Sequence, residues 1–336
     1  MNLIIPMAGR GSRLRPHTLT VPKPLVPVAG KPIVQRLAED LTASLKEKVD
    51  RIAFVIGDFG DEVEQQLLAI AEGLGAEGTV VTQDQPLGTA HAILCARDLL
   101  DGPTMIAFAD TLFRADFDFD VDANEGLIWA QRVDDPSAFG VLKLDGEGYI
   151  TDFVEKPTTF VSDLAIVGIY YVRDGAALRR ELEYLIDNDI RDKGEYQLTN
   201  GLEALKEKGT KFRPGTVEEW LDCGNKAAVV HTHRRVLEMK ADVETLRHDT
   251  ATVENSVIVE PCYLGPGARV TNSVVGPHVS IGRDSSVEGS VVRNSIIQDG
   301  SAVSGANLAD SMIGNHAAYA GRPADVSAGD YSDLRQ

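Results

Sequence analysis

Near the N-terminus, the glycine-containing stretch Pro6-Met-Ala-Gly-Arg-Gly-Ser-Arg13 follows the apolar run Leu3-Ile4-Ile5. The run predicts a short buried strand, and the two glycines behind it predict a tight turn. Small residues let backbone N–H groups curl around an anion without interference from a Cβ atom. Arg13 and, further on, Lys23 add fixed positive charge beside the turn. Strand, glycine turn and paired cations together indicate a phosphate-binding site.

The glycine spacing excludes two well-known phosphate loops. A P-loop requires G-x-x-x-x-G-K-[ST], which is absent from this stretch. A dinucleotide-binding fingerprint requires a third glycine, whereas Gly9-x-Gly11 is followed by Ser12-Arg13. On the two glycines alone, an ordinary strand-to-helix turn with surface cations remains an open alternative.

The distribution of charge favours the phosphate interpretation. The chain has a net charge of −18, yet residues 1–38 contain six basic residues and no acidic one. The six are Arg10, Arg13, Arg15, Lys23, Lys31 and Arg36. A polyphosphate ligand requires such a local positive patch, whereas the negative total charge argues against nucleic acid or an anionic membrane as a partner.

Length and composition indicate a globular protein of the cytoplasm. The 336 residues suggest two domains or one large one, and a hydrophobic share of 43% permits a full core. Three widely spaced cysteines, Cys95, Cys223 and Cys262, predict reduced thiols rather than a disulfide framework or a zinc site. We expect no membrane span and no signal peptide, because the chain lacks a long apolar run and a charged leader.

Residues 1–240 alternate between apolar runs and amphipathic stretches. This rhythm predicts an α/β fold with a Rossmann-like, mostly parallel sheet and helices on both faces. We expect strands at 3–5, 51–56, 79–82 and 105–109, and helices at 33–46, 62–74 and 90–100. Ligands of such folds bind at the carboxyl ends of the strands.

The composition changes after residue 240. We expect a linker at 241–250, a repeat domain at 251–322 and a tail at 323–336. Within the repeat domain, aliphatic residues recur every five or six positions: Val253, Val259, Leu264, Val270, Val275, Ile281, Val287, Val292, Ile297, Val303, Leu308 and Ile313. This hexapeptide repeat predicts a short left-handed parallel β-helix, each coil of which buries its aliphatic residues.

The motif G-x-G-[ST]-R followed by P-K-P resembles the sugar-1-phosphate nucleotidylyltransferases, the enzymes that make nucleotide sugars. Further matches follow in the order of that family: Gln83-Asp-Gln-Pro-Leu-Gly-Thr-Ala90, Asp110 at a strand end, Glu155-Lys-Pro157 and Trp220-Leu-Asp-Cys-Gly224. The resemblance covers nearly the whole chain. It implies a nucleotidyltransferase fold for residues 1–240 and transfer of a nucleotidyl group from a nucleoside triphosphate to a sugar-1-phosphate, with release of pyrophosphate.

The resemblance also implies roles for individual residues. Arg13 and Lys23 would be catalytic, and Asp110 and Asp222 would hold Mg²⁺, which prefers one or two carboxylates together with substrate phosphates. The implied nucleotide-binding residues are Ala8, Gly9, Gly11, Ser12, Gln83, Gly88 and Thr89. The implied sugar-phosphate-binding residues are Gly140, Glu155 and Lys156.

The chemistry of these residue types agrees with those roles. The glutamine amide of Gln83 offers a donor and an acceptor, as the edge of a uracil or thymine ring requires. Gly88 would allow its backbone to approach the base. Glu155 would accept hydrogen bonds from sugar hydroxyls, and Lys156 would hold the sugar phosphate. The stretch Gly194–Asn200 resembles a further family motif, but Asn200 replaces the usual acid and receives no role.

The glutamine and the β-helix resemble the long-form glucose-1-phosphate thymidylyltransferases, so we expect dTTP or UTP with glucose-1-phosphate. The next alternative is a mannose-1-phosphate guanylyltransferase. Two alternatives of another class are a β-helix acyltransferase, with His278 or His316 in its site, and a non-catalytic regulatory subunit that binds nucleotide sugars. Neither histidine has an acid at a telling sequence distance. The β-helix edges and the acidic tail suggest a homo-oligomer.

Overall fold

The apolar run near the N-terminus forms strand β1, Asn2–Pro6, and all five of its residues are buried. The computed structural model of the chain describes residues 1–9, 11–115, 117, 119–322 and 325–332. Arg10 and part of the predicted tail therefore lie outside the described residues. The chain divides into two compact units, Met1–Val26 with Lys31–Asn225 and Pro27–Gly30 with Lys226–Gln336.

Among its described residues, the first unit contains five α-helices joined by strands. The helices are α1 (Ile33–Ser44), α2 (Asp61–Gly73), α3 (Thr89–Cys95), α4 (Gly175–Asp187) and α5 (Leu198–Glu207). The strands up to residue 222 are, in chain order, β1, β2 (Pro27–Val28), β3 (Lys31–Pro32), β4 (Arg51–Ile56), β5 (Glu77–Thr82), β6 (Thr104–Ala107), β7 (Thr111–Arg114), β8 (Gly126–Arg132), β9 (Gly140–Leu144), β10 (Ile150–Glu155), β11 (Leu164–Val172), β12 (Phe212–Thr216) and β13 (Glu219–Asp222). Leu37 and Leu41 of α1, four residues apart on one helical face, are fully buried.

One nine-stranded sheet organises the first unit. Its main path runs β10-β9-β11-β6-β1-β4-β5, with β8 pairing β11 and β12 pairing β8. Strands β6, β1, β4 and β5 are parallel, as the predicted strand–helix rhythm requires. Beyond β6 the pairing is mostly antiparallel, because β9 and β10 form a hairpin and β11 runs against β6, β8 and β9. Strand β12, in contrast, pairs β8 in parallel. The predicted α/β class is confirmed, and the sheet is mixed.

The loops behind the parallel strands gather at one edge of this sheet. The glycine turn follows β1, the stretch from Gln83 to Gly88 follows β5, and Asp110 follows β6. A small antiparallel pair, β7 with β13, extends this edge and places Asp222 opposite Thr111. The edge therefore collects segments that are more than 100 residues apart in the chain.

Strand β2 belongs to the second unit, whose other described elements are helix α6 (Lys226–Lys240) and thirteen short strands. The strands are β14 (Thr252–Glu254), β15 (Val257–Ile258), β16 (Cys262–Leu264), β17 (Arg269–Thr271), β18 (Val274–Val275), β19 (Val279–Ile281), β20 (Ser286–Glu288), β21 (Val291–Arg293), β22 (Ser295–Ile297), β23 (Ala302–Ser304), β24 (Asn307–Ala309), β25 (Met312–Ile313) and β26 (Ala318–Ala320). They form three parallel sheets of five, four and four strands. Every third strand pairs with its equivalent in the next coil, which is the arrangement of a parallel β-helix.

Stacked aliphatic side chains fill the interior of the β-helix. Val270, Val287 and Val303 are in register on successive coils, and each is at most 1% exposed. One position of the predicted repeat is wrong: Val259 is 41% exposed, and its neighbour Ile258 packs against the core instead. The reason is the alternation of a strand, which turns neighbouring side chains to opposite faces.

Helix α6 groups with the β-helix rather than with the sheet that precedes it. Its buried residues include Val229, Val236 and Leu237. The domain bounds suggested by the sequence, with a first domain ending at residue 240, stay a prediction. No helix among the described residues is long and apolar enough to cross a membrane. The three cysteines are all described, and none forms a disulfide.

Candidate active site

The glycine turn lies directly on Lys23. Gly11 has a φ of +59°, and a Cβ atom at this position would lie 2.7 Å from the Cβ of Lys23. The Thr18 hydroxyl donates to the carbonyl oxygen of Gly11 at 2.7 Å and closes the turn. Glycine is therefore required here by both backbone conformation and space. The short 3₁₀ helix Ser12–Leu14 that follows carries Arg13.

Lys23 is a buried cation with a defined partner. The residue is 7% exposed, and its ammonium donates to Oδ2 of Asp110 at 3.2 Å. The Asp110 side chain is 52% exposed, so this carboxylate remains accessible to a ligand. An ammonium with three donors can bind a phosphate oxygen while it keeps its contact with Asp110.

Asp222 and Arg13 converge on Gly224. The Gly224 N–H donates to Oδ1 of Asp222 at 3.0 Å. A Cβ atom on Gly224 would lie 2.9 Å from Oδ2 of Asp222 and 3.4 Å from Nη2 of Arg13. The strand ends are also joined, because the N–H of Cys223 donates to the carbonyl oxygen of Asp110 at 3.0 Å. The structure thus brings Arg13, Asp110 and Asp222 to one place.

The two aspartates fit a hard divalent cation. Their ligand atoms are carboxylate oxygens on neighbouring strand ends, and both side chains belong to exposed residues. Among the described residues there is no group of three or more His, Cys, Asp or Glu side chains that could hold a metal alone. A cation at this edge would therefore need oxygen atoms from a ligand as well, which is typical of Mg²⁺ with phosphates.

A cleft of about 390 Å³ opens beside these residues, a size within the range of small-molecule sites. The predicted residues that line it are Ala8, Gly9, Gly11, Ser12, Arg13, Lys23, Gln83, Gly88, Thr89 and Asp110. Pro6, Met7, Pro24, Pro86, Ala92, Phe108, Ala109, Glu195 and Gly224 complete the lining. All of the predicted nucleotide-binding residues therefore share one cavity, although their roles stay predictions.

Gln83 is tied to the protein through its amide nitrogen. Nε2 lies 3.2 Å from the carbonyl oxygen of Gly88 and 3.0 Å from Nδ1 of His91. The expectation that both the donor and the acceptor of this amide face a base therefore needs correction, because the donor is already engaged. Burial lowers the pKa of His91, while the nearby Asp84 acts in the opposite direction.

Packing alone is enough to require glycine at position 88. Its φ is +119°, and a Cβ atom would lie 2.5 Å from the carbonyl oxygen of Tyr196. The loop is joined to the same residue on both sides, since Tyr196 N–H donates to Leu87 at 2.8 Å and Ala90 N–H donates to Tyr196 at 2.9 Å. Close approach of two backbones thus explains the glycine.

Gly140, Glu155 and Lys156 form a second group. Gly140 pairs with Glu155 in the hairpin, and a Cβ atom on Gly140 would lie 3.1 Å from Oε2 of Glu155. The Lys156 ammonium lies 3.5 Å from Oε1 of Glu155. These residues do not line the cleft described above. Burial raises the pKa of Tyr170, and the negative charges of Glu155 and Asp110 act in the same direction.

Sequence reasoning missed several residues of the site. Glu195 lines the cleft, and Gln197 links Glu195 to Thr89, one of the predicted residues. The Thr89 hydroxyl donates to Oε1 of Gln197 at 3.2 Å, and Nε2 of Gln197 donates to Oε2 of Glu195 at 3.1 Å. Thr199 is 4% exposed, and its hydroxyl has no hydrogen-bond partner in the described part of the chain. The resemblance of Gly194–Asn200 to a family motif was the available signal.

The β-helix histidines differ from each other. His278 is largely buried, with Nε2 at 3.0 Å from Oε1 of Glu238 in α6. The sequence suggested no acid partner, because Glu238 precedes the repeat and meets His278 only through folding. Burial lowers the pKa of His278, and Glu238 opposes this effect. His316 is exposed.

Comparison with known proteins identifies the family. A model of the family described as nucleotidyl transferase matches residues 3–239. The chain belongs to the nucleotidyl transferase family. It is 31% identical to a glucose-1-phosphate thymidylyltransferase of Streptomyces griseus, covering 96% of this chain and 94% of that protein. It is 30% identical to the low-salt glycan biosynthesis nucleotidyltransferase Agl11 of Haloferax volcanii, and that match covers 94% of this chain and 93% of Agl11.

A solved structure supports the fold of this nucleotidyl transferase. The crystal structure of UDP-glucose pyrophosphorylase complexed with UDP-glucose matches with a TM-score of 0.57 at 23% identity. The match covers 71% of this chain and 98% of that one. The resemblance to sugar-1-phosphate nucleotidylyltransferases that the sequence motifs suggested is confirmed, and the chain is an enzyme of that kind.

Proposed function

We propose that this enzyme transfers the nucleotidyl group of dTTP or UTP to glucose-1-phosphate and releases pyrophosphate. The observation that carries the proposal is the ion pair of Lys23 with Asp110 beside the glycine turn, in a cleft that Arg13 and Gln83 also line. The thymidylyltransferase relative, similar over nearly its whole length, supports the choice of sugar and base.

In this reaction a phosphate oxygen of the sugar-1-phosphate attacks the α-phosphorus of the triphosphate, and pyrophosphate leaves in line. Little covalent chemistry falls to the protein, so positioning and charge neutralisation dominate. The ammonium of Lys23 would bind the α-phosphate, and the exposed guanidinium of Arg13 would neutralise the leaving pyrophosphate. Lys156 would hold the attacking phosphate, with the neighbouring Glu155 accepting sugar hydroxyls.

We propose Mg²⁺ as the cofactor, held by Asp110 and Asp222. When bound, it would neutralise negative charge on phosphate oxygens. Asp222 ends β13 and pairs with Thr111, the residue that follows Asp110, and Asp110 keeps about half of its side chain accessible. Both observations support a site that is completed by ligand oxygens. A chelator should therefore abolish turnover, and added Mg²⁺ should restore it.

We also propose that the enzyme is cytoplasmic and forms a homo-oligomer. The support for association is a column of exposed valines on one β-helix face: Val257, Val274 and Val291 are in register and 57%, 41% and 42% exposed. Glu288 and Arg293 flank Val291 on opposite sides within one coil, and both are exposed. Copies around an axis parallel to the β-helix would pair these charges while they cover the valines.

Light scattering coupled to size exclusion tests the association. Val274→Glu should reduce the mass to that of one chain, because it places a charge in the middle of the column. The control is Ala302→Glu, at an exposed position of another face, and this variant should have the same oligomer mass as the wild type. A wild-type protein that elutes as one chain, or a Val274→Glu variant of full oligomer mass, would refute this interface.

The assay for the reaction is pyrophosphate release with Mg²⁺ across dTTP, UTP and GTP, each with glucose-1-phosphate and mannose-1-phosphate. We expect the highest kcat/KM for glucose-1-phosphate with dTTP or UTP. A preference for GTP and mannose-1-phosphate would support the guanylyltransferase alternative instead. Sugar-nucleotide binding without pyrophosphate release would support a regulatory subunit. Consumption of acetyl-CoA that depends on His278 or His316 would support an acyltransferase.

A further inference from the structure

The contacts of Gln83 fix the orientation of its side-chain amide. The carbonyl oxygen of Gly88, 3.2 Å from this amide, can only accept a hydrogen bond, so it must face the N–H group. The same amide nitrogen lies 3.0 Å from Nδ1 of His91. The second N–H of this nitrogen can donate a hydrogen bond to Nδ1 of His91 only if Nδ1 carries no proton.

Neutral His91 meets this requirement when its proton lies on Nε2. Burial lowers the pKa of His91, which favours the neutral ring near pH 7, although Asp84 has the opposite effect. With both amide hydrogens directed to Gly88 and His91, only Oε1 of Gln83 remains available to a ligand in the cleft. Oε1 is a hydrogen-bond acceptor and has no proton to give.

We infer that His91 is a positioning residue that determines base selection by holding Gln83 with its acceptor toward the nucleotide. This inference rests on the proposed nucleotidyl transfer and on Gln83 facing the base. Thymine and uracil present an N3–H donor to such an acceptor. Cytosine presents a lone pair at N3, which an acceptor repels. The paired residues therefore select pyrimidines that carry a ring N–H.

Loss of His91 would weaken this selection. Only the Gly88 carbonyl would then hold the amide, so the whole amide group could rotate and present an N–H, in place of Oε1, to a cytosine ring nitrogen. Because a single hydrogen bond is worth a few-fold to about tenfold in an equilibrium, we expect the kcat/KM ratio of dTTP over dCTP to fall roughly 3- to 10-fold.

The experiment measures kcat and KM for dTTP and dCTP with glucose-1-phosphate and Mg²⁺. The variants are His91→Leu, which has no acceptor, and His91→Gln, whose carbonyl oxygen can accept from Gln83. Cys95→Ala is the matched control, since Cys95 lies one turn further along α3 and is half-buried. Thermal melting identifies variants that fail to fold, and His91→Gln then serves as the informative variant.

We expect His91→Leu to lower the dTTP over dCTP ratio through KM, with kcat at saturating dTTP near the wild-type value. His91→Gln should recover most of the ratio, and Cys95→Ala should keep it. An unchanged ratio in His91→Leu, or equal losses on both triphosphates, would overturn the role of His91. A wild type that releases no pyrophosphate from any triphosphate would instead refute the proposed function.

Discussion

At the scale of single residues, the two cations of the cleft differ in how they are held. Lys23 is buried and fixed by Asp110, whereas Arg13 is exposed and ends beside Gly224. A buried ammonium is preorganised and loses little freedom when a phosphate binds. An exposed guanidinium can follow a phosphate group that moves away. This difference supports the proposed roles, in which Lys23 binds the phosphate that is attacked and Arg13 the one that leaves.

Replacement of Arg13 by alanine should lower kcat about 10²- to 10³-fold, as the loss of other preorganised charge donors does. Arg15→Ala is the control, because Arg15 is also an exposed cation of this segment but does not line the cleft. It should keep turnover within about twofold of the wild type. Steady-state kinetics measure both variants, and wild-type turnover in Arg13→Ala would show that its assigned role is wrong.

At the scale of elements, the loop from Gln83 to Thr89 is held by the segment before α5. Two backbone hydrogen bonds join them, because the Tyr196 N–H donates to the carbonyl oxygen of Leu87 and the Ala90 N–H donates to that of Tyr196. The Thr89 hydroxyl also accepts from the N–H of Leu198 at 2.9 Å. This loop carries Gln83, and the segment carries Glu195. Two parts of the cleft that are far apart in sequence therefore form one rigid wall.

Gly88→Ala should destabilise this wall. A Cβ atom would lie 2.5 Å from a backbone oxygen, and the φ of +119° disfavours any residue other than glycine. We expect the free energy of unfolding to fall by about 2–4 kcal/mol. Gly73→Ala at the end of α2 is the control, since a Cβ atom there meets nothing within 4 Å. Urea denaturation should show that variant within about 1 kcal/mol of the wild type, or slightly more stable.

At the scale of the whole molecule, burial of tyrosines makes the stability of the folded chain depend on pH in the alkaline range. Tyr171 is fully buried and donates its hydroxyl hydrogen to the carbonyl oxygen of Val121 at 3.0 Å. Burial raises the pKa of Tyr171 to about 12, against an ordinary value of 10.0. Between these values the unfolded chain releases a proton that the folded chain keeps. Stability should therefore fall as pH rises through this window.

Tyr171→Phe removes the hydroxyl group that loses its proton in this pH window. The variant should be about 1 kcal/mol less stable than the wild type at pH 8, because the carbonyl of Val121 loses its donor. Between pH 10 and about 12 its stability should fall less steeply, by up to about 1.4 kcal/mol per pH unit. Urea denaturation at several pH values measures both slopes, and parallel curves would contradict the prediction.

Much of the fold could be read from local pattern. The apolar run before the glycine turn predicted β1, and the strand–helix rhythm predicted the parallel half of the sheet. The recurring aliphatics predicted the β-helix, apart from the choice of Val259 over Ile258. The antiparallel half was not predicted, because pairing partners such as β8 and β11 are set by contacts between distant segments rather than by the period of either strand.

The type of fold, the positive N-terminal patch and the list of motif residues follow from short stretches of residue type and spacing. The burial of Lys23 against Asp110, the close approach of Tyr196 to Gly88 and the contact of His91 with the amide of Gln83 appear only in the folded chain. These features arise where separate segments meet at the carboxyl edge of the sheet. Distances and hydrogen-bond directions across such a junction depend on packing, which no single stretch of sequence records.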